Sequence, residues 1–86
     1  MFDGFHFDDV DWRPLESIIS PEECSAFMYM GWFEFGEQRL HHYKHAISRR
    51  YLFVTDDLET FAYVGGEDYV PIAREDAIRR ALEEPW

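Results

Sequence analysis

Several features that usually reveal a protein's function are scarce or absent in this sequence. Among 86 residues there is one cysteine, Cys24, which excludes a disulfide framework within the chain and is typical of a reducing compartment. The N-terminus has no basic leader, and no apolar run approaches the roughly 18 residues of a membrane-spanning helix. We therefore expect a cytoplasmic protein that does not cross a membrane.

Motifs of the common enzyme classes are also absent. No Gly-x-Ser-x-Gly, Walker, Rossmann or His-Glu-x-x-His pattern occurs in the sequence. No pair of carboxylates stands out from the other acids, and nothing close to Cys24 would lower the pKa of its thiol. The sequence therefore predicts a protein that is not an enzyme and that holds no cofactor.

Basic residues are few. Eight lysines and arginines stand against 18 aspartates and glutamates, so the net charge is −10. Nucleic acids and anionic membranes both need a cationic binding surface, so direct binding to either is not expected. A negative surface instead favours a basic protein partner, although acidity of this kind also serves to keep small proteins soluble.

Aromatic residues, by contrast, are abundant, at 19% of the chain. This is a high proportion for the interior of so small a domain, so we expect some of these side chains on a contact surface. Residues 1–13 combine aromatic and acidic side chains. This segment is either an edge strand or an extended arm that lies over the domain.

The middle of the chain alternates turn signals with strand patterns. Ser20 and Glu23 match a capping box, which predicts a short helix over residues 21–25. Residues 26–72 contain aromatic and β-branched runs separated by turn residues, and they predict an antiparallel meander. Within it, residues 39–45 fit a strand or a helix, and the strands on either side favour the strand.

An apolar stripe with acid–base pairs at i,i+4 predicts a helix over residues 74–84. The predicted fold is a single α+β domain over residues 1–86. It consists of an antiparallel β meander of four to five strands, a short N-terminal helix and a C-terminal helix packed on one face. A helix this short covers one face of about three strands. We expect the N-terminal arm, a second copy or a partner to cover the other face.

Three histidines, His41, His42 and His45, raise the question of a metal site. On a helix, His41 and His45 would share a face and could chelate an ion. On a strand they lie about 13 Å apart, which is too far for one ion. The acids of the N-terminal segment also lack the spacing of a calcium loop. We therefore predict no metal site.

The run from Arg39 to Val54 is the one basic island in the acidic chain. Its cations are Arg39, Lys44, Arg49 and Arg50, with tyrosines interleaved, a pattern that suits a small anion or RNA. Alternatively, these cations pair with aspartates and glutamates on neighbouring strands.

The hypothesis that follows from charge is a small acidic inhibitor or regulator that binds a basic protein partner. The basic site on that partner would otherwise hold nucleic acid, as in a nuclease or a defence complex, and the protein would mimic nucleic acid. Small inhibitors from phages and bacteria have this combination of size and charge. The predicted contact residues are Asp8, Asp9, Asp11, Trp12, Trp32 and Phe33. Two alternatives stay open: a structural domain that forms a homodimer, and an anion or RNA binder that uses the basic island.

Overall fold

The structure is a computed structural model that describes His6, residues 10–66 and residues 68–83. These residues form two short helices, five strands and a last helix, in the order α1 (Arg13–Glu16), α2 (Pro21–Cys24), β1 (Phe27–Phe35), β2 (Gln38–His45), β3 (Tyr51–Thr55), β4 (Thr60–Gly65), β5 (Asp68–Pro71) and α3 (Arg74–Leu82). The strands lie side by side in chain order, and all neighbours are antiparallel. The predicted α+β meander, with a short N-terminal helix and a C-terminal helix packed against it, is confirmed.

The segment predicted as an arm or an edge strand is described at His6 and from Val10 onwards. His6 forms an isolated antiparallel bridge with Trp32 of β1. Each of the two residues donates its N–H to the carbonyl of the other, at 2.8 and 3.0 Å. At this point the N-terminal segment therefore continues the sheet beyond β1.

Helix α2 begins at the capping box that the sequence predicts. The Ser20 hydroxyl accepts a hydrogen bond from the Glu23 N–H (3.2 Å), and the Glu23 carboxylate accepts one from the Ser20 N–H (3.3 Å). Pro21 suits the first turn, where a backbone N–H would have no partner inside the helix. The helix ends at Cys24, because the aromatic residues that follow join the sheet.

Residues 39–45, whose sequence fits a strand or a helix, lie in strand β2. This strand pairs with β1 on one side and with β3 on the other, so two ladders satisfy its backbone hydrogen bonds. The turn that follows it lacks glycine, and Arg49 takes the left-handed conformation there (φ 65°). Buried Ser48 holds this turn, since its N–H donates to Nδ1 of His45 (3.1 Å).

The main core lies between the sheet and the helices. Alternate residues of β2 and β3 face it and meet apolar side chains from all three helices. Its buried members are Leu15, Ile19, Cys24, Phe27, Tyr43, Leu52, Val54, Ala77 and Ala81. The Tyr43 hydroxyl at its centre donates to the Asp11 carbonyl oxygen (2.6 Å). Burial raises the pKa of this hydroxyl, which therefore stays protonated and remains a donor.

Helix α3 packs on this same face of the sheet through Ala77 and Ala81, which are both buried. On its exposed side, Arg79 forms an ion pair with Asp76 at 3.0 Å, one residue closer than the predicted i,i+4 spacing. None of the helices in the described residues combines the length and the apolar content needed to cross a membrane.

The opposite face of the sheet is covered by the curvature of the sheet itself. Ring centroids of Phe33 (β1) and Tyr69 (β5) lie 5.7 Å apart, and those of Phe35 (β1) and Phe61 (β4) lie 4.9 Å apart. In a flat sheet the first and fifth strands would be about 19 Å apart, because neighbours are about 4.8 Å apart. The sheet is therefore strongly coiled, and its concave face closes around aromatic rings.

The curvature of the sheet changes one expectation from the sequence, which concerns how its second face is covered. Phe53 and His42 lie at the centre of the concave face, and they are only 8% and 6% exposed. The expectation that an arm, a second copy or a partner must cover this face is therefore wrong for its centre. Toward the start of β3 and the end of β4 the face stays open, and Tyr51 and Tyr63 are exposed there.

Strands β3 and β4 diverge at this open end. Their pairing consists of Phe53 with Phe61 and Val54 with Thr60. An extension of the same register would place Tyr51 opposite Tyr63, but the ladder stops before that pair. Farther along, β4 departs from regular pairing with β5 between Tyr63 and Gly65. The divergence leaves a gap between two strands in the middle of the sheet.

Candidate functional site

The gap between β3 and β4 is a slot with a cavity volume of about 240 Å³. Aromatic rings form its walls, small or aliphatic residues its floor, and two arginines complete the lining. These residues are, in that order, Tyr51, Phe53, Phe61 and Tyr63; Ala62, Ile72 and Ala77; and Arg50 and Arg80. We refer to this cavity as the slot.

The slot draws on both faces of the sheet. The wall residues Tyr51 and Tyr63 occupy alternate positions that point to the concave face. Ala77 and Arg80, by contrast, come from α3, which packs on the opposite face. The slot therefore passes between the strands and ends against the helix. One wall is ordered by stacking, since the rings of Tyr51 and Phe53 are 5.6 Å apart and within 7° of parallel.

The positive charges at the slot are not neutralised within the described part of the chain. Arg50 and Arg80 are exposed, and neither forms an ion pair with another described residue. A third cation lies close by, because the Lys44 ammonium is 5.8 Å from the centre of the Tyr51 ring. The slot therefore presents a concentration of positive charge in a chain with a net charge of −10.

Buried Ser48 ties the two arginine-bearing segments together. Its hydroxyl donates to the Ala81 carbonyl oxygen at the end of α3 (2.5 Å) and accepts a hydrogen bond from the Arg50 N–H (3.1 Å). Arg50 is thereby anchored to the helix that carries Arg80. Because the backbones of both arginines are fixed relative to each other, a ligand that binds between them would meet a preorganised site.

A second cluster of polar groups lies where the N-terminal segment, β2 and the β3–β4 turn meet. The Arg39 guanidinium lies 3.0 Å from one carboxylate oxygen of Asp56 and 3.4 Å from Asp11. His41, which is fully buried, bonds to Asp56 through Nε2 (2.8 Å) and to the Tyr29 hydroxyl through Nδ1 (2.8 Å). We refer to these five residues as the Arg39 network.

The carboxylate of Asp56 is the central acceptor of the Arg39 network. Burial opposes the charged form of Asp56, but hydrogen bonds from Arg39 and His41 outweigh it and hold the pKa of Asp56 below its usual value. The ionised Asp56 carboxylate therefore accepts a hydrogen bond from an N–H at Nε2 of His41. The other ring nitrogen of His41, Nδ1, lies within hydrogen-bond distance of the Tyr29 hydroxyl (2.8 Å).

The Arg39 network also brings together a set of potential metal ligands. Ligand atoms of Asp11, His41 and Asp56 all lie within 4.8 Å of one another. A cation already lies between the two carboxylates, since Arg39 contacts both. None of these three residues lines the slot. The cluster is therefore best understood as an internal network that joins separate segments of the chain.

Cys24 has the environment of a structural residue. It is buried in the main core. Burial, together with the negative charges of Glu16 and Glu23, raises the pKa of its thiol. The reactive thiolate is thus disfavoured at neutral pH.

Of the six predicted partner-binding residues, Asp8 and Asp9 lie outside the described residues. Asp11 belongs to the Arg39 network, and Trp12 packs against Tyr43 in the core (ring centroids 5.7 Å apart). The Trp32 ring has two neighbours, the His6 ring at 4.2 Å and the Arg39 guanidinium at 5.3 Å.

The sixth of these residues, Phe33, lies on the concave face against Tyr69. The four described residues of this predicted set are thus dispersed: one packs on the core, one belongs to the Arg39 network, one lies beside that network and one lies on the concave face. Their role in binding a partner stays a prediction.

The predicted basic island is also divided by the fold. Arg39 lies at the start of β2 and Arg50 just before β3, so they are at opposite ends of the sheet. Among the four predicted anion-binding residues, only Arg50 lines the slot. Arg80, which the sequence predicts as the i,i+4 partner of Asp76, joins it from a distant part of the chain; that predicted pair is wrong, because Asp76 pairs with Arg79. The local sequence carries no signal for this pairing, because it depends on where α3 crosses the sheet.

A comparison with protein-family models, with curated proteins and with solved structures finds no match for this chain.

Proposed function

We propose that this protein is a small-ligand-binding module whose slot accepts an anion. The observation that carries the proposal is the placement of Arg50 and Arg80 on one cavity, with no ion-pair partner among the described residues. The chain has 18 acidic residues and eight lysines and arginines, so it has enough carboxylates to pair with both arginines. That none of the described carboxylates does so supports a role for these arginines in binding. Planar guanidinium groups match the paired oxygens of carboxylates and phosphates.

Binding, rather than catalysis, agrees with the lining of the slot. Among the described residues that form it there is no aspartate, glutamate, histidine or cysteine. The usual general bases and the strongest nucleophiles are therefore missing from its walls. The aromatic walls instead exclude water from one side of the bound anion, which strengthens its hydrogen bonds to the arginines.

Because of the overall negative charge, the slot attracts an anion only at short distance. A net charge of −10 repels anions at long distance. Affinity therefore depends on direct hydrogen bonds to the guanidinium groups rather than on steering from solution. Added salt screens the long-range repulsion as well as the local attraction, so we expect a weaker salt dependence than that of a basic protein.

Amide chemical shifts test the proposal. In a titration with inorganic phosphate, and separately with acetate, we expect saturable shifts at Arg50, Tyr51, Tyr63 and Arg80. The double variant Arg50→Gln/Arg80→Gln should lose them. Arg79→Gln is the matched control, because Arg79 lies next to Arg80 but pairs with Asp76. Saturable shifts confined to other parts of the chain, or none at all, would contradict an anion site in the slot.

The sequence-based hypothesis of a basic protein partner stays a prediction. In its favour, exposed Glu37, Asp57 and Glu59 lie on two turns at the same end of the sheet. Gln38 joins these turns through hydrogen bonds to Glu59 (3.1 Å) and to the Asp57 N–H (3.0 Å). A cluster of carboxylates does not by itself define a binding site, so this function ranks second to the slot.

A further inference from the structure

We propose that the ligand of the slot is an anionic group attached directly to one aromatic ring, such as an aryl carboxylate or an aryl phosphate. This inference rests on the proposed anion-binding function and adds the class of the ligand. It follows from the volume of the slot, the chemistry of its walls and the size of the residues on its floor.

The slot, which is open to solvent on one side, has room for about one ring between its walls. An apolar cavity of about 150 Å³ is enough to hold benzene. The slot, at about 240 Å³, has room for one ring together with a carboxylate or a phosphate. A nucleoside phosphate, which adds a sugar and a larger base, would extend out of the slot into solvent. Inorganic phosphate alone leaves most of the apolar wall against water.

The walls of the slot favour a flat ring. Tyr51 and Phe53 from β3 stand on one side, and Phe61 and Tyr63 from β4 stand on the other. A ring inserted between the strands can stack on one pair and meet the other edge to face, the two arrangements that aromatic pairs prefer. A hydrogen bond from the Tyr63 hydroxyl to the Gly66 carbonyl oxygen (2.8 Å) fixes the position of the Tyr63 ring in this wall.

The floor of the slot leaves space for the ring. Ala62 of β4 and Ala77 of α3 both carry a single methyl group where the strands separate. Arg50 and Arg80 belong to the same lining, so a ring in the gap would carry its anionic substituent toward the guanidinium groups. The two parts of the ligand thereby meet two different parts of the site.

The test compares matched pairs of anions by isothermal titration and by amide shifts of the complete chain. We expect benzoate to bind at least about tenfold more tightly than acetate, and phenyl phosphate at least about tenfold more tightly than inorganic phosphate, because the ring leaves water. Whichever aryl anion binds more tightly identifies the anionic group. Adenosine monophosphate is expected to gain no such advantage.

Two variants separate the two parts of the site. Ala62→Leu fills the floor and should remove the advantage of the aryl anions while acetate and inorganic phosphate still bind. Arg50→Gln/Arg80→Gln should remove the binding of all four anions. If the folding of Ala62→Leu is impaired, Tyr51→Leu provides the same comparison at an exposed position of the wall.

The results of these titrations separate a failure of the aryl-anion proposal from a failure of the anion-binding proposal. Equal affinities for benzoate and acetate, and for phenyl phosphate and inorganic phosphate, would overturn the aromatic ligand but leave the anion site in place. Benzamide binding as tightly as benzoate would show that charge is not recognised and would overturn both proposals. The absence of binding by all of these compounds at the slot would also overturn both.

Discussion

The arginine of the Arg39 network and the arginines of the slot differ in their ion-pair partners. Arg39 is partly buried and meets two carboxylates at 3.0 and 3.4 Å, whereas the described residues supply no carboxylate to Arg50 or Arg80. A buried charge without a partner costs several kcal/mol, while an exposed one costs little. The partly buried cation thus has counter-charges within the chain, whereas the exposed cations at the slot have none among the described residues.

The two regions differ because of how their segments meet. In the Arg39 network the N-terminal segment, β1, β2 and the β3–β4 turn converge, and each contributes a polar group. At the slot, β3 and β4 separate, and the ladder that would have filled the space is missing. Where the segments converge, their polar groups form hydrogen bonds with one another; where the two strands separate, a cavity remains.

The largest expected effect comes from removing a counter-charge in the network. Asp56→Ala leaves Arg39 and fully buried His41 without their shared acceptor, so we expect unfolding free energy to fall by about 3 kcal/mol. Urea denaturation at pH 7 measures this loss. The adjacent exposed residue provides the control, because Asp57→Ala should change stability little. Equal losses for the two variants would show that the network is not a structural unit.

A second test uses the two neighbouring histidines of β2. Burial, and then the nearby His41, lower the pKa of His42 from 6.5 to about 4. The unfolded chain therefore binds a proton at His42 before the folded chain does, and stability falls as pH decreases from 6.5 to 4. We expect a loss of about 2.5 kcal/mol from this group at pH 4.5.

Urea denaturation of the wild type and of His42→Phe between pH 7 and 4.5 measures this contribution. The variant should lose less stability than the wild type over that range, since phenylalanine does not titrate and His42 packs among aromatic rings. Parallel pH profiles for the two proteins would show that His42 is protonated as readily in the folded state as in the unfolded state.

The third test loosens the slot without touching its lining. Ser48→Ala removes the hydrogen bond that the Ser48 hydroxyl donates to the Ala81 carbonyl oxygen and the one that it accepts from the Arg50 N–H. Because these groups are buried, we expect a loss of about 2 kcal/mol in unfolding free energy and weaker anion binding. Ser25→Ala is the control, since that hydroxyl lies on the exposed surface. Unchanged anion affinity in a destabilised Ser48→Ala variant would contradict a preorganised pair of arginines.

The smallest effect is expected at the slot arginines themselves. Arg50→Gln/Arg80→Gln removes charges that have no ion-pair partner among the described residues, so stability should change by no more than about 0.5 kcal/mol. Thermal or urea denaturation checks this, with Arg39→Gln as a destabilised comparison. A clear loss in the double variant would show that these arginines support the fold, and the contrast between the two regions would disappear.

Local signals in the sequence account for most of the fold. The capping box at Ser20 and the alternation in Tyr51–Val54 predict an element type within a few residues, and the structure has α2 and β3 there. Pro71 indicates an edge strand because it cannot donate to a ladder, and β5 lies at the edge of the sheet. These signals depend only on backbone geometry and neighbouring side chains.

The candidate site was only partly accessible from sequence. Arg50 belongs to the basic island and could be named in advance, but its neighbours Lys44 and Arg49 do not line the cavity. For Arg80, the sequence predicts only an i,i+4 pair with an acid of the same helix. The sequence also predicts aromatic side chains on a contact surface, but several of those in the described residues pack against one another on the concave face, as Phe33 does with Tyr69.

By itself the sequence determined the class of fold, the order of helices and strands, and the excess of negative charge, because caps, turns and alternation act over a few neighbouring residues. Only the tertiary structure decided that the sheet coils and that β3 and β4 separate. It also decided that Arg39 pairs with two carboxylates, whereas Arg50 and Arg80 have no ion-pair partner among the described residues. These features join residues distant in sequence, and their proximity depends on how twist and divergence accumulate across five strands.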